Sequence, residues 1–154
     1  LHDLREVGQA ATDGGVELGL EIVGHREVQH HVHRVLALAL REFAQRLQRC
    51  LRQEDLVARL GGDEFVVLLE DIADAQAVAA TARKIVEVMR NPFVLGAHTL
   101  AVSTSIGAAF APTPRDPDTL TALADRALYA AKARGRDTWT VVQDGDHGIA
   151  PPAA

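Results

Sequence analysis

Apolar residues recur with helical spacing from Leu36 onward. Leu36, Leu40, Phe43, Leu47 and Leu51 follow one another at intervals of four, three, four and four residues. Positions three and four apart share one face of a helix, so this stripe predicts an amphipathic helix that packs on a core.

Two short apolar runs follow and predict a β-hairpin. They cover Leu56–Leu60 and Glu64–Leu69, and Gly61-Gly62-Asp63 separates them. Both faces of the second run are apolar except at Glu64. This pattern predicts an interior strand whose first side chain points into a site.

A second helix is predicted after Asp74, whose carboxylate can cap it, and Asn91-Pro92 should end it. Its apolar stripe consists of Ala75, Val78, Ala79, Ala82, Val86 and Met89. Beyond it, Phe93–Leu95 and His98–Ala109 predict a hairpin around Gly96 that leads into a long strand.

The pair Asp116-Pro117 predicts the start of a third helix, because a carboxylate cap precedes proline at the first helical position. The apolar stripe that follows consists of Leu120, Leu123, Ala124, Ala127, Leu128 and Ala131. Gly135 can supply the left-handed residue that closes this helix, and Thr138–Val142 predicts a last strand. Helices and hairpins in this order predict an α/β (α+β) fold with a mixed, mostly antiparallel sheet flanked by helices.

The residues before Leu36 differ in composition. They carry five of the seven histidines, and they show no apolar stripe, so we predict no helix there. The alternation over Val16–Val23 predicts a strand. His30, His31 and His33 form a tight cluster that could bind Zn²⁺, although no matched Cys/His pair accompanies it. After Asp144 we expect a disordered tail, residues 144–154.

Composition sets limits on the function. A chain of 154 residues with 47% hydrophobic and 24% charged residues predicts one globular domain. The net charge of -5 argues against nucleic acid as a partner. Cys50, the only cysteine, is predicted to be a core thiol. Neither a secretory leader nor an apolar run long enough to cross a membrane is visible, so we expect a cytoplasmic segment, and the opening Leu1 suggests a piece of a longer protein.

The hairpin is the strongest candidate for chemistry. Gly61 and Gly62 can expose backbone N–H groups to a phosphate without a side chain in the way. Asp63 and Glu64 follow directly, and two carboxylates at the start of a strand can hold a hard cation such as Mg²⁺. A Gly-Gly-Asp turn also forms hairpins without any ligand, so this segment alone leaves both interpretations open.

Three separated segments resemble the GGDEF domain of bacterial diguanylate cyclases. They are RLGGDEF from Arg59 to Phe65, TSIG from Thr104 to Gly107, and ADRALYAAK from Ala124 to Lys132 with GRD from Gly135 to Asp137. Their order and spacing match the family over residues 36–142, and we take residues 36–143 as the domain.

The resemblance implies an activity, namely condensation of two GTP molecules into cyclic di-GMP by two facing chains, with release of pyrophosphate. It implies that Gly61 and Gly62 pack against GTP, and that Asp63 and Glu64 are catalytic and hold Mg²⁺ or Mn²⁺. Lys132 and Arg136 would reach the terminal phosphates. Lys132 could equally be a solvated cation that complements the helix dipole.

The resemblance also implies a product site that inhibits the family's enzymes. Arg52 and Asp55 form the family's Arg-x-x-Asp arrangement ahead of the hairpin, and Arg83 matches a further product-binding arginine. An arginine and an aspartate three residues apart are also a routine pair at a helix end.

The family pattern is missing before Leu36. Counting back without gaps places Leu20 at the metal-binding aspartate, Val28 at the guanine-reading asparagine and Ala37 at the guanine-reading aspartate. We therefore interpret residues 1–35 as a divergent or frame-shifted segment. The alternative function is a catalytically degenerate GGDEF module that binds cyclic di-GMP or GTP and signals to a partner, with a sensory domain possible upstream.

Overall fold

The computed structural model describes residues 16–17 and 26–143, with side chains from residue 31 onward. Its helices are α1 Arg26–Cys50, α2 Ala75–Met89 and α3 Pro117–Ala133. Its strands are β1 Val16–Glu17, β2 Leu56–Gly61, β3 Glu64–Leu68, β4 Phe93–Leu95, β5 His98–Leu100, β6 Ser103–Thr104, β7 Ile106–Phe110 and β8 Trp139–Gln143. The mixed α/β class is confirmed.

The described strands pair two by two. β1 with β6, β2 with β3, and β4 with β5 are antiparallel, whereas β7 and β8 are parallel. The predicted long strand His98–Ala109 is three strands, because each part of this run has a different partner. β3 was predicted to be an interior strand, and among the described strands it pairs with β2 alone. One of its faces carries the half-buried Phe65 and Val67, and the other is exposed.

Helix α1 begins ten residues before the predicted stripe. The prediction that residues 26–35 form no helix is therefore wrong. Each residue added to an existing helix gains one hydrogen bond, so a helix can extend beyond the face that it buries. The burial agrees with this, because Ala39, Phe43 and Leu47 are buried whereas Leu36 is 39% exposed. Of the predicted strand Val16–Val23, the first two residues form β1, and the rest lies outside the described residues.

Helix α2 lies between two apolar clusters and contributes to both. The first cluster consists of Phe43, Leu47, Cys50, Ile85, Met89, Phe93 and Val102. The second consists of Ala75, Val78, Ala79, Ala82, Val86, Trp139 and Val141. The predicted cap is confirmed, since the Asp74 carboxylate accepts from Ala77 N at 2.8 Å. The two clusters therefore join the α1 side of the domain to the β7–β8 side.

Cys50 lies in the first cluster, as predicted for a core thiol. Burial raises the pKa of the Cys50 thiol above its ordinary value, and the positive charge of Lys84 partly opposes this. The thiol is therefore neutral near pH 7 and behaves as a small apolar side chain.

Arg46 joins α1 to the chain that follows α2. Its guanidinium donates to Asn91 O at 2.5 Å and to Pro92 O at 2.8 Å, and it lies 3.9 Å from the centroid of the Phe93 ring. Glu42, one turn earlier, accepts from Arg46 Nε at 2.8 Å. The side chain is only 13% exposed. One planar cation thereby satisfies two backbone carbonyl groups of the segment that follows α2.

Helix α3 packs directly on the backbone of β7 at Gly107. A Cβ atom placed on Gly107 would lie 2.5 Å from Leu128 Cα and closer still to Leu128 N and Ala124 O. The buried residues of α3 are the small Ala127 and Ala131, which also permit a close approach. Gly107 is therefore required for this helix–strand contact.

Asp116 caps α3, as predicted. Its carboxylate accepts from the Thr119 hydroxyl, from Thr119 N at 3.0 Å and from Asp118 N at 3.1 Å. These bonds hold the pKa of the Asp116 carboxyl below its usual range. These bonds therefore stabilise the folded protein at any pH above the ordinary carboxyl pKa. The stabilisation is lost as the pH falls through the lower pKa that Asp116 has in the folded state.

None of the helices in the described part of the chain combines the length and the apolar character that a membrane crossing requires.

We predict that Gly107→Ala lowers the free energy of unfolding by about 3 kcal/mol, because the added methyl meets helix backbone that cannot rotate away. Urea unfolding followed by circular dichroism measures this. Gly61→Ala is the matched control, because a Cβ there has nothing within 4 Å. Equal stability of the two variants would contradict the close contact.

We predict that Arg46→Lys destabilises the domain by about 2 kcal/mol, because an ammonium group keeps the charge but cannot reach both carbonyls in one plane. Arg49→Lys makes the same change at an exposed position of the same helix and should alter the thermal midpoint little. Equal thermal midpoints for the two variants would show that the charge of Arg46 is sufficient and that the planar shape of its guanidinium is not needed.

Candidate functional site

The β2–β3 turn has the form that its two glycines predict. Gly61 pairs with Glu64, so Gly62 and Asp63 make the turn, and the register shifts between Arg59 and Gly61. Gly62 has φ +51°, a left-handed conformation that strains other residues. The turn geometry therefore accounts for Gly62, but it does not account for Gly61.

Arg59 holds this turn closed. Its Nε donates to Gly62 O at 2.9 Å, and its Nη2 donates to the same oxygen at 2.5 Å. Arg59 opens the RLGGDEF segment, and no role was predicted for it from the sequence. A cation three residues before a turn carbonyl is the signal that could have identified it.

Gly61 and Gly62 border open space. A Cβ at either position would have nothing within 4 Å. Neither glycine is therefore needed to pack against the protein, and the backbone of the turn is accessible to a ligand. Asp63, half-buried, and Glu64, exposed, extend from this turn.

The carboxylates of Asp63 and Glu64 determine which metal ion the turn can bind. In the described part of the chain, no three His, Cys, Asp or Glu side chains converge on one point. Mg²⁺ is usually held by one or two carboxylates together with water and substrate phosphates. Asp63 and Glu64 therefore fit one Mg²⁺ ion shared with a phosphate, and they do not by themselves form a cage for two ions.

A groove with a volume of about 500 Å³ lies between α1 and the hairpin. Its lining is largely apolar, with four side chains that can form hydrogen bonds. The lining residues are His33, Leu36, Ala37, Leu40, Arg41, Ala44, Gln48, Val57, Arg59 and Phe65. Arg59 thus lines the groove and also holds the turn. This groove was not predicted from the sequence, because it forms only when one face of α1 packs beside two strands.

Lys132 and Arg136 lie at the end of α3, and both are half-buried. Gly135, Arg136 and Asp137 have φ values of +108°, +61° and +46°. The left-handed residue predicted at Gly135 is therefore confirmed, and two further residues share its conformation. Arg90 holds the turn, with Nε 2.7 Å from Asp137 Oδ2 and Nη2 donating to Asp137 O at 2.9 Å.

Asp55 bonds to backbone rather than to the Arg52 side chain. Its carboxylate accepts from Arg52 N at 2.8 Å and from Glu70 N at 3.4 Å. The guanidinium of Arg52 is exposed and forms no ion pair within the described residues. A second cavity, of about 310 Å³, is lined by Gln48, Leu51, Arg52, Gln53, Asp55, Leu56 and Val57.

Arg83 is exposed on α2 and does not line this second cavity. Its neighbour Lys84 donates from Nζ to Cys50 O at 3.0 Å, at the end of α1. This bond fixes the Arg83 region of α2 beside the segment that leads to Arg52.

The predicted site residues thus fall into three groups on different elements. Gly61, Gly62, Asp63 and Glu64 share the hairpin turn, and Lys132 and Arg136 share the end of α3. Arg52 and Asp55 follow the end of α1, and Arg83 lies on α2, next to the Lys84 that bonds to this end. Of the positions where the family pattern is missing, Leu20 lies outside the described residues. Ala37 lines the groove and presents only a methyl group there.

Comparison with known proteins gives one family. The family model described as "Diguanylate cyclase, GGDEF domain" matches residues 32–138. The bifunctional diguanylate cyclase/cyclic di-GMP phosphodiesterase MucR of Pseudomonas aeruginosa is 41% identical over 108 residues, which are 68% of this chain and 15% of MucR. The response regulator PleD of Caulobacter vibrioides is 42% identical over 101 residues, 64% of this chain and 22% of PleD. The chain therefore spans less than a quarter of these relatives.

Solved structures agree. The X-ray structure of an EAL/GGDEF domain protein from M. capsulatus has a TM-score of 0.64 at 36% identity, over 74% of this chain and 73% of that one. The GGDEF domain of TpbB (YfiN) from Pseudomonas aeruginosa has a TM-score of 0.62 at 39% identity, over 65% of this chain and 59% of that one.

We predict different effects at the two ends of the Arg52–Asp55 segment. Asp55→Ala should lower the free energy of unfolding by about 1 kcal/mol, because two backbone N–H groups lose their acceptor. Arg52→Ala keeps its backbone N–H and should remain within about 0.5 kcal/mol of the original protein. Chemical denaturation of both variants measures the difference, and an equal loss would indicate that the two side chains pair with each other.

Proposed function

The chain belongs to the GGDEF domain family of diguanylate cyclases, and we propose that it binds GTP at the β2–β3 turn and condenses two GTP molecules into cyclic di-GMP. The relatives are several times longer than the matched segment, so a regulatory or sensory domain elsewhere in the parent protein is part of the proposal.

One observation carries this proposal. Gly61 is not required by the turn, and a Cβ there would meet no protein atom. Two carboxylates nevertheless lie beside it, that of Asp63 within the turn and that of Glu64 directly after it. A hairpin with only a structural role does not require exposed backbone N–H groups next to two carboxylates. A bound phosphate requires the N–H groups, and its cation requires the carboxylates.

In the proposed reaction, the N–H groups of Gly61 and Gly62 face the phosphates of GTP, and the clamp by Arg59 keeps the turn in this conformation. The 3′-hydroxyl of each GTP attacks the α-phosphate of the other. At each α-phosphorus the bond to the oxygen that bridges to the β-phosphate breaks, so the two attacks close the ring and release two pyrophosphates. Asp63 assists removal of the proton from the attacking hydroxyl. Lys132 and Arg136 neutralise the departing phosphates, since phosphoryl transfer depends on positioning and on charge neutralisation.

Asp63 and Glu64 would hold Mg²⁺ or Mn²⁺, which supplies further neutralisation of the phosphate charge when it is bound. The reaction needs two GTP molecules, and each turn binds one, so the active form in this proposal is a homodimer with the two turns facing each other.

The groove between α1 and the hairpin is the proposed place for guanine. It offers His33, Arg41 and Gln48 as hydrogen-bonding groups, whereas Ala37 offers none where the family has a carboxylate. A site that lacks a partner for a polar edge discriminates weakly between bases. Selectivity for GTP over other nucleotides is therefore expected to be low in this chain.

A second function is favoured by the geometry at Arg52. Because the Asp55 carboxylate bonds to backbone, the Arg52 guanidinium is left exposed beside a cavity. A planar guanidinium can bind phosphate and stack on guanine. In this alternative the domain binds cyclic di-GMP through Arg52, Asp55 and Arg83 and signals to a partner without turnover.

We predict that the purified chain, at high concentration with GTP and Mg²⁺ or Mn²⁺, forms cyclic di-GMP detectable by mass spectrometry. Asp63→Ala and Glu64→Gln should each lower the rate by at least about 100-fold. Each change removes a carboxylate ligand of the metal ion, and the ion is then no longer held where it neutralises the phosphate charge. Glu87→Gln, an exposed carboxylate on α2, is the matched control and should keep the rate.

Absence of product from the folded, concentrated protein with either metal would overturn the cyclase proposal. Calorimetric titration with cyclic di-GMP then tests the alternative, which requires binding that Arg52→Ala abolishes and Arg49→Ala retains.

A further inference from the structure

Two histidines distant in sequence meet at the surface. His31, in the second turn of α1, has its Nε2 3.0 Å from Nε2 of His98, the first residue of β5. The ring centroids are 5.0 Å apart and the planes are inclined by 65°. The two ring edges thus point their Nε2 atoms toward each other.

We propose that His31 and His98 are the protein ligands of a site for a divalent transition-metal ion. Neutral imidazole is a common ligand of copper, nickel and zinc ions. In the hydrogen bond between the two rings one Nε2 carries the proton, and both Nε2 atoms present a lone pair to an ion once that proton is on Nδ1 of its ring. His31 is exposed and His98 is half-buried, so an ion can reach the pair and keep water at its other positions.

The separation of the two nitrogens favours one type of coordination. If both lie about 2.05 Å from one ion, a separation of 3.0 Å corresponds to an angle of about 94° at that ion. Adjacent ligands of a square-planar or octahedral ion subtend about 90°, which suits Cu²⁺ or Ni²⁺. Tetrahedral Zn²⁺ would require the nitrogens to move apart to about 3.3 Å.

The helix explains why the histidine cluster seen in the sequence is not itself this site. Side chains one or two positions apart on a helix do not face each other. His33 accordingly lines the groove toward the hairpin, whereas His31 meets β5. No partner for His31 was evident in the sequence, because His98 lies 67 positions later in the chain.

The position of the pair indicates what an ion would do. Arg46 ties the later part of α1 to the chain at Pro92 and Phe93. His31 lies fifteen residues earlier, about 22 Å along the helix. A metal ion at His31 and His98 would add a second attachment between α1 and the β4–β5 hairpin, near the end of the helix where the family pattern is missing. This site is independent of the proposed cyclase activity.

Titration calorimetry of the full chain, free of any affinity tag, with CuCl₂, NiCl₂, ZnCl₂ and MgCl₂ tests the proposal. One equivalent of Cu²⁺ should bind most tightly, Ni²⁺ and Zn²⁺ more weakly, and Mg²⁺ at this site not at all. Loss of a residue that only supports a metal ligand costs about 10–100-fold in affinity, so His31→Ala and His98→Ala should each cost at least as much.

His33→Ala, on the same helix, is the matched control and should bind like the original protein. Electron paramagnetic resonance of the Cu²⁺ complex gives an independent readout, because coupling to imidazole nitrogens should vanish in the two ligand variants. Circular dichroism confirms that each variant is folded. Absence of Cu²⁺ binding, binding that survives both ligand variants, or equal loss in His33→Ala would overturn the site and leave a hydrogen bond between two histidines.

Discussion

The contact between α3 and β7 at Gly107 is the constraint on which most of the domain depends. The helix backbone lies where a side chain on the strand would be, so only glycine permits this spacing. Once α3 is seated, β8 can return parallel to β7 and bury Trp139 and Val141 against α2. The turn after α3 then meets Arg90 at the end of α2. The position of Lys132 and Arg136 thus follows from one missing methyl group.

Features encoded over a few residues could be predicted from the sequence. The caps at Asp74 and Asp116, the hairpin turn at Gly62 and the left-handed Gly135 each depend on neighbours within one turn of chain. Features that depend on distant partners could not. The run His98–Ala109 gives no sign that it pairs with three different strands, and no pattern shows that Arg46 bonds to Asn91 and Pro92.

The candidate site divides in the same way. The acidic turn was found because its glycines and carboxylates are contiguous. The role of Asp55 was not predicted. The spacing suggests that Asp55 pairs with the Arg52 side chain, whereas its carboxylate bonds to the backbone of Arg52 and Glu70. The groove was missed altogether, since its walls come from α1 and from two strands. Family resemblance supplied the roles of Lys132 and Arg136, which no local physical pattern assigns.

The exposed face of the β2–β3 hairpin affects how the protein behaves in solution. Leu56 and Leu68 lie opposite each other, Val66 lies two residues further along, and these side chains are 58%, 53% and 46% exposed. Exposed apolar side chains that lie together on one face favour association with other molecules, so aggregation on concentration or storage should begin here. A lysine on this face would be the simplest way to improve solubility.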